Sequence, residues 1–124
     1  MQRYLTDRKR AVGLGSGRAG TEHHWKMMVS SMAIVVAAPV FFILFALGYQ
    51  LPYAEATAYF GHPAVAITLA VTMVIIIRHV MNEAIEAAED YVHGTAGQLT
   101  IVGITWASYL LMIVGLFALA RMAI

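Results

Sequence analysis

The segment "PAVAITLAVTMVIIIRHVMNEAIEAAEDYVHG", Pro63 to Gly94, decides how this chain is built. Pro63 to Ile77 is free of charge; then Arg78 and His79 interrupt. A helix needs about 20 apolar residues to cross a hydrocarbon core of ~30 Å, so the charge-free run is too short alone. Either the segment is re-entrant or its helix continues through Arg78 and His79. Continuation is favoured, because Val80 to Ala88 contains good helix formers and neither Gly nor Pro. Gly94 and Gly97 then stand as stop signals. A continuous helix puts Arg78 and His79 at membrane depth or at the inner interface, where ionisable residues are costly and mark function.

The flanks are simpler. Met27 to Tyr49 and Leu99 to Ala120 are free of charge and each long enough to span. Of 124 residues 60% are hydrophobic and 12% charged, about half the charged share of a soluble domain. The chain has no cysteine, which excludes disulfides, thiolate metal sites, Cys-ligated iron–sulfur clusters and a covalently attached haem. The expectation is an all-α integral membrane protein with three transmembrane helices. It forms one membrane domain over 1–124, with an N-terminal segment to residue 26 and helices at about 27–49, 63–92 and 98–121.

Orientation follows from the basic residues. Arg3, Arg8, Lys9, Arg10, Arg18 and Lys26 precede the first span, and the connection from Gln50 to His62 has no Lys or Arg. The positive-inside rule puts the N-terminus in the cytoplasm. Three spans then place the acidic segment Glu83 to Gln98 inside and the C-terminus outside. The apolar run is too long for the core of a secretory signal, so it is expected to be a retained helix. Residues 11–20, "AVGLGSGRAG", have loop composition; without a preceding strand they do not make a nucleotide motif.

At 100° per residue, His79, Glu83, Glu86 and Asp90 fall within a stripe about 60° wide. His plus carboxylates can bind a divalent cation or relay protons through a transporter. Alternatively the glutamates are solvated, or pair with the basic N-terminus. His79 stands apart because it lies at the membrane end. A membrane histidine there is either a structural hydrogen-bonder or a ligand, through neutral imidazole, to a metal or haem iron.

The whole pattern resembles the hydrophobic membrane-anchor subunits of succinate dehydrogenase (respiratory complex II) in their alphaproteobacterial form. The similarity rests on "YLTDRKRAVGLGSGRAGTEHHWKMMVS" at the N-terminus, on three spans, and on His79 followed eleven residues later by Asp90-Tyr91 in "EDYVHG". It implies a subunit without a succinate site of its own that docks the flavoprotein and iron–sulfur subunits at the cytoplasmic face of the bacterial inner membrane. It implies His79 as an axial ligand of haem b, and so of the haem iron, with the second ligand from a partner cytochrome b subunit. It implies Tyr91 as the hydrogen-bond donor to a ubiquinone carbonyl, with Asp90 supporting that site. Ile77, Met81 and Ala84 would wall one side of the haem, and Arg78 would meet a propionate or reach the headgroups. Lipid is the other expected partner, and nucleic acid is not. The alternative is a small proton- or cation-coupled transporter using Glu83, Glu86 and Asp90.

The remaining residues have plainer roles. Trp25, Trp106, Tyr49, Tyr53 and Tyr59 are interfacial or packing aromatics. "TEHHW", Thr21 to Trp25, is a candidate contact to the iron–sulfur subunit or the quinone pocket. Pro39 is expected to kink the first span, and the eight methionines fill gaps between helices.

Overall fold

The computed structural model describes residues 6–15 and 20–124. Arg3, Arg18 and part of the Gly-rich segment lie outside them. The described residues contain five helices and no strand: α1 (Asp7–Val12), α2 (Gly20–Tyr49), α3 (Tyr53–Gly61), α4 (Pro63–Tyr91) and α5 (Gly94–Ala123). Of these, α2, α4 and α5 are long and apolar enough to cross a membrane. The fold is all-α, with three candidate spans.

The central segment is one unbroken helix, so α4 runs through Arg78 and His79. Pro63 sits in its first turn, where a missing N–H costs nothing. At about 1.5 Å per residue its 29 residues extend ~44 Å, well beyond a ~30 Å core. Counted from Pro63, His79 lies about 24 Å along and Tyr91 about 42 Å along. Tyr91 thus lies farther from Pro63 along the helix than a ~30 Å core reaches, whereas His79 does not.

Each flanking helix starts before its charge-free run. The first reaches back to Gly20 and takes "TEHHWK" into its opening turns, where Glu22 and Lys26 pair one turn apart at 2.8 Å. It continues through Pro39 without interruption. The turn from α4 to α5 is only Val92 and His93. Gly94 and Gly97 belong to the start of α5 and not to the end of α4. Gly94 has φ +69°, which reverses the chain, and a Cβ on Gly97 would overlap the Val92 carbonyl oxygen.

The connection from Gln50 to His62 is not a loop. Between Pro52 and Pro63 it folds into α3, which touches all three long helices. Phe60 packs where a side chain on Gly48 would be, and its ring centroid lies 5.9 Å from that of Phe45. Tyr59 donates its hydroxyl to the Leu44 carbonyl at 3.1 Å.

In the bundle α4 is central. It packs on α2 along one flank and on α5 along the other, while among the described residues the backbones of α2 and α5 do not come close to each other. Buried residues are accordingly concentrated on α4: Ala66, Leu69, Thr72, Met81 and Ala88, with Leu69 only 1% exposed. The outer faces of α2 and α5 present Val35, Val36, Phe42, Leu110, Leu111 and Phe117 outward, as a lipid-facing surface should.

Candidate functional site

Two side-chain contacts join α4 to α2, both near the His79 end. His79 Nδ1 lies 2.8 Å from Ser30 Oγ, and His23 Nε2 lies 2.5 Å from Glu86 Oε1. Seven residues separate His23 from Ser30 along α2, and seven separate His79 from Glu86 in the opposite sense along α4. The helices are therefore antiparallel neighbours whose polar contacts fall one heptad apart. One further step brings Ala37 level with Thr72, and both are buried. Thr72 turns its hydroxyl onto its own helix, 2.7 Å from the Thr68 carbonyl.

The His79 side chain is 12% exposed. Ser30 Oγ also lies 3.0 Å from the Met27 carbonyl oxygen, which receives the Ser31 hydroxyl at 2.9 Å as well. On the other side of the ring, Nε2 is 3.7 Å from Glu83 Oε1. That is too long for a hydrogen bond, and the Glu83 side chain is 55% exposed and free to swing away. The imidazole thus has a hydrogen-bond partner at Nδ1 and, among the described residues, none within hydrogen-bonding distance at Nε2.

The stripe predicted on α4 does face one way, toward α2, but its members act separately. His79 meets Ser30, Glu86 meets His23, and Asp90 is exposed. Among the described residues no three His, Asp or Glu side chains converge as metal ligands. Tyr91 is the last residue of α4 and 83% exposed. It lies about 18 Å along the helix from His79 and roughly 120° around it, so the two cannot hold one group between them. Ile77, Met81 and Ala84 lie roughly 140–200° around from His79, and Met81 is buried inside the chain. They do not wall the ring; Ile75 and Ile76 share its face. Arg78 is exposed.

A haem iron needs a neutral imidazole with one nitrogen free and the other usually donating to a fixed acceptor. His79 fits such a group in the tautomer that carries its proton on Nδ1, with Ser30 Oγ as the acceptor. An apolar cleft of ≈190 Å³ lies toward the far end among Phe41, Phe45, Phe60, Leu69 and Met73. It carries no titratable side chain. The sequence reading missed Ser30. The signal available was a pair of hydroxyls, Ser30 and Ser31, at the start of an otherwise apolar run, at heptad spacing from His23.

Residues 2–120 match the family described as succinate dehydrogenase/fumarate reductase transmembrane subunit. The chain is similar to the succinate dehydrogenase hydrophobic membrane anchor subunit of Paracoccus denitrificans, with 34% identity over 122 residues covering 98% of this chain and 95% of that one. No solved structure matches it. With nearly every residue inside the match, and with three candidate spans in the fold, the chain belongs to the succinate dehydrogenase/fumarate reductase transmembrane subunit family.

Proposed function

We propose that this chain is the membrane-anchor subunit of a succinate:ubiquinone oxidoreductase. It would dock the flavoprotein and iron–sulfur subunits, share haem b with a cytochrome b subunit, and form part of the ubiquinone site. The carrying observation is the placement of His79: on the central helix, hydrogen-bonded to Ser30 at Nδ1 and without a hydrogen-bond partner at Nε2 among the described residues. Family membership lends the alternative, a transporter built on Glu83, Glu86 and Asp90, no support.

When bound, haem b supplies a store for single electrons; His79 Nε2 is the atom of this chain that would hold its iron. Tyr91 would donate its hydroxyl to a quinone carbonyl oxygen, where negative charge develops as electrons arrive. A tyrosine does this while staying neutral at pH 7, and its ring suits the headgroup level. Asp90, beside it and exposed, would orient that hydroxyl or pass protons from the aqueous side. The basic residues before and in the first turns of α2, Lys26 among them, favour a cytoplasmic N-terminus at the inner membrane. A reporter fused after Ile124 should then read the outer compartment; activity on the cytoplasmic side would overturn this orientation.

The decisive experiment compares succinate:quinone with succinate:artificial-acceptor activity in one preparation of the Tyr91→Phe complex. The variant keeps the ring and loses one hydrogen bond, worth about 1–3 kcal/mol if its partner is left unmatched. Quinone reduction should fall on the order of 10- to 100-fold, since each 1.4 kcal/mol is about tenfold. The artificial-acceptor rate should hold. Parallel loss of both would make Tyr91 an assembly residue, and retention of both would move the quinone site elsewhere.

A further inference from the structure

Ser30 is the polar side chain on the neighbouring helix that reaches His79, and this touches the chemistry of a ligand directly. A hydroxyl has one proton and two acceptor lone pairs. Ser30 Oγ has two partners in reach: the Met27 carbonyl at 3.0 Å and His79 Nδ1 at 2.8 Å. It can donate to one of them only. If it donates to the carbonyl, its oxygen must accept from Nδ1–H, and the lone pair of the neutral ring is then on Nε2. If it donates to Nδ1, the proton sits on Nε2, facing Glu83, and the nitrogen needed for a metal is blocked. Only the first arrangement is compatible with ligation.

We propose that Ser30 is a positioning residue for the haem ligand. It accepts a hydrogen bond from the Nδ1–H of His79 and donates its own O–H to the Met27 carbonyl, fixing both the tautomer and the plane of the imidazole. The inference rests on the reading of His79 as a haem ligand and adds a residue on a different helix. The chain of contacts is Met27 carbonyl, Ser30 hydroxyl, His79 ring. All three lie on the α2–α4 seam, where Met27 is itself buried. A hydrogen-bonded partner of this kind orients the ligand and raises its basicity, and its removal typically weakens metal binding 10- to 100-fold. Because the acceptor is a neutral hydroxyl, the lower end is expected here. Ser31 is the internal control: it shares the Met27 carbonyl and does not reach His79.

The test uses the purified intact complex with Ser30→Ala, Ser30→Thr, Ser31→Ala and His79→Ala. The readouts are haem content, the haem midpoint potential and the g-values of the oxidised haem by electron paramagnetic resonance. Ser30→Ala should reduce haem retention about tenfold. The haem that remains should show a more positive midpoint and altered g-values, because a less basic, freely turning imidazole stabilises the oxidised iron less. Ser30→Thr should restore all three, and Ser31→Ala should leave them unchanged. If Ser30→Ala leaves potential and g-values at the wild-type values, or Ser31→Ala shifts them equally, the Ser30 assignment is overturned while the haem reading stands. If Ser30→Ala assembles no haem at all, recovery in Ser30→Thr supports the assignment, and failure there as well assigns the position to packing. An unchanged haem spectrum in His79→Ala would overturn the ligand reading, and the role of Ser30 with it.

Discussion

The two flanks of α4 hold their neighbours by different means. Toward α2 the seam carries polar contacts, Ser30 with His79 and His23 with Glu86. Toward α5 no side-chain hydrogen bond or ion pair crosses among the described residues. The hydroxyls of Thr100 and Thr105 turn back onto carbonyls of their own helix. That seam is held by close approach: Gly97 lies under the Val92 carbonyl, and Met73 occupies the space a side chain on Gly115 would need. In lipid both solutions work, since helices associate through small residues and through hydrogen bonds, with no hydrophobic drive between them. The difference teaches where function can sit. A seam of glycine and methionine offers shape; a seam with an imidazole, a hydroxyl and a carboxylate offers chemistry.

The largest effect expected from breaking this contrast is His79→Ala. It removes the inner polar rung and, on the proposed function, the haem ligand. The reduced-minus-oxidised spectrum of the purified complex should lose its haem b band, while succinate oxidation with an artificial acceptor stays largely intact. An unchanged spectrum would reduce the α2–α4 seam to a structural hydrogen bond.

The second effect tests the other flank. A methyl at Gly97 meets backbone, which cannot move aside, whereas a methyl at Gly115 meets the flexible end of Met73. Overpacking of the first kind costs about 1–3 kcal/mol, and the second should cost less than about 1 kcal/mol because Met repacks readily. Thermal dissociation of the detergent-solubilised complex should therefore rank wild type close to Gly115→Ala and well above Gly97→Ala. The reverse order would mean that α5 is not placed by the tight turn. Haem content should follow neither variant strongly, since this flank lies away from His79.

This contrast was only half legible in the sequence. The three apolar stretches and the continuity of α4 follow from hydropathy and from helix formers between Val80 and Ala88. His79, Asp90 and Tyr91 stood out as ionisable or aromatic groups at a membrane boundary, and the family pattern sharpened them. Ser30 did not stand out, because a serine early in a span is ordinary and its importance comes from a helix 49 residues away. The helix α3 was hidden for a related reason. Nine residues between two prolines form a stable helix only when tertiary packing offsets nucleation, and one of the packing partners, the end of α5, is distant in sequence. Likewise Gly94 and Gly97 read as stop signals, and only the three-dimensional turn shows that they open the next helix.

The smallest effect concerns the outer polar rung. His23 and Glu86 are close, at 2.5 Å, but their side chains are 65% and 40% exposed. Exposed pairs are screened by water and carry the entropy cost of ordering two side chains, so their coupling is typically below about 1 kcal/mol. A double-mutant cycle with His23→Gln, Glu86→Gln and the double variant isolates that coupling from the other roles of each residue. Measured as thermal dissociation of the complex, it should fall within about 0–1 kcal/mol, and haem content should hold in all three variants. That outcome would place the chemistry of the seam at Ser30 and His79, one heptad deeper, and leave the outer pair as a weak clasp between helices. A coupling above about 2 kcal/mol would break the argument at its premise. It would mean that the pair is desolvated in the assembled complex, covered by a partner subunit at the surface where this chain alone meets water.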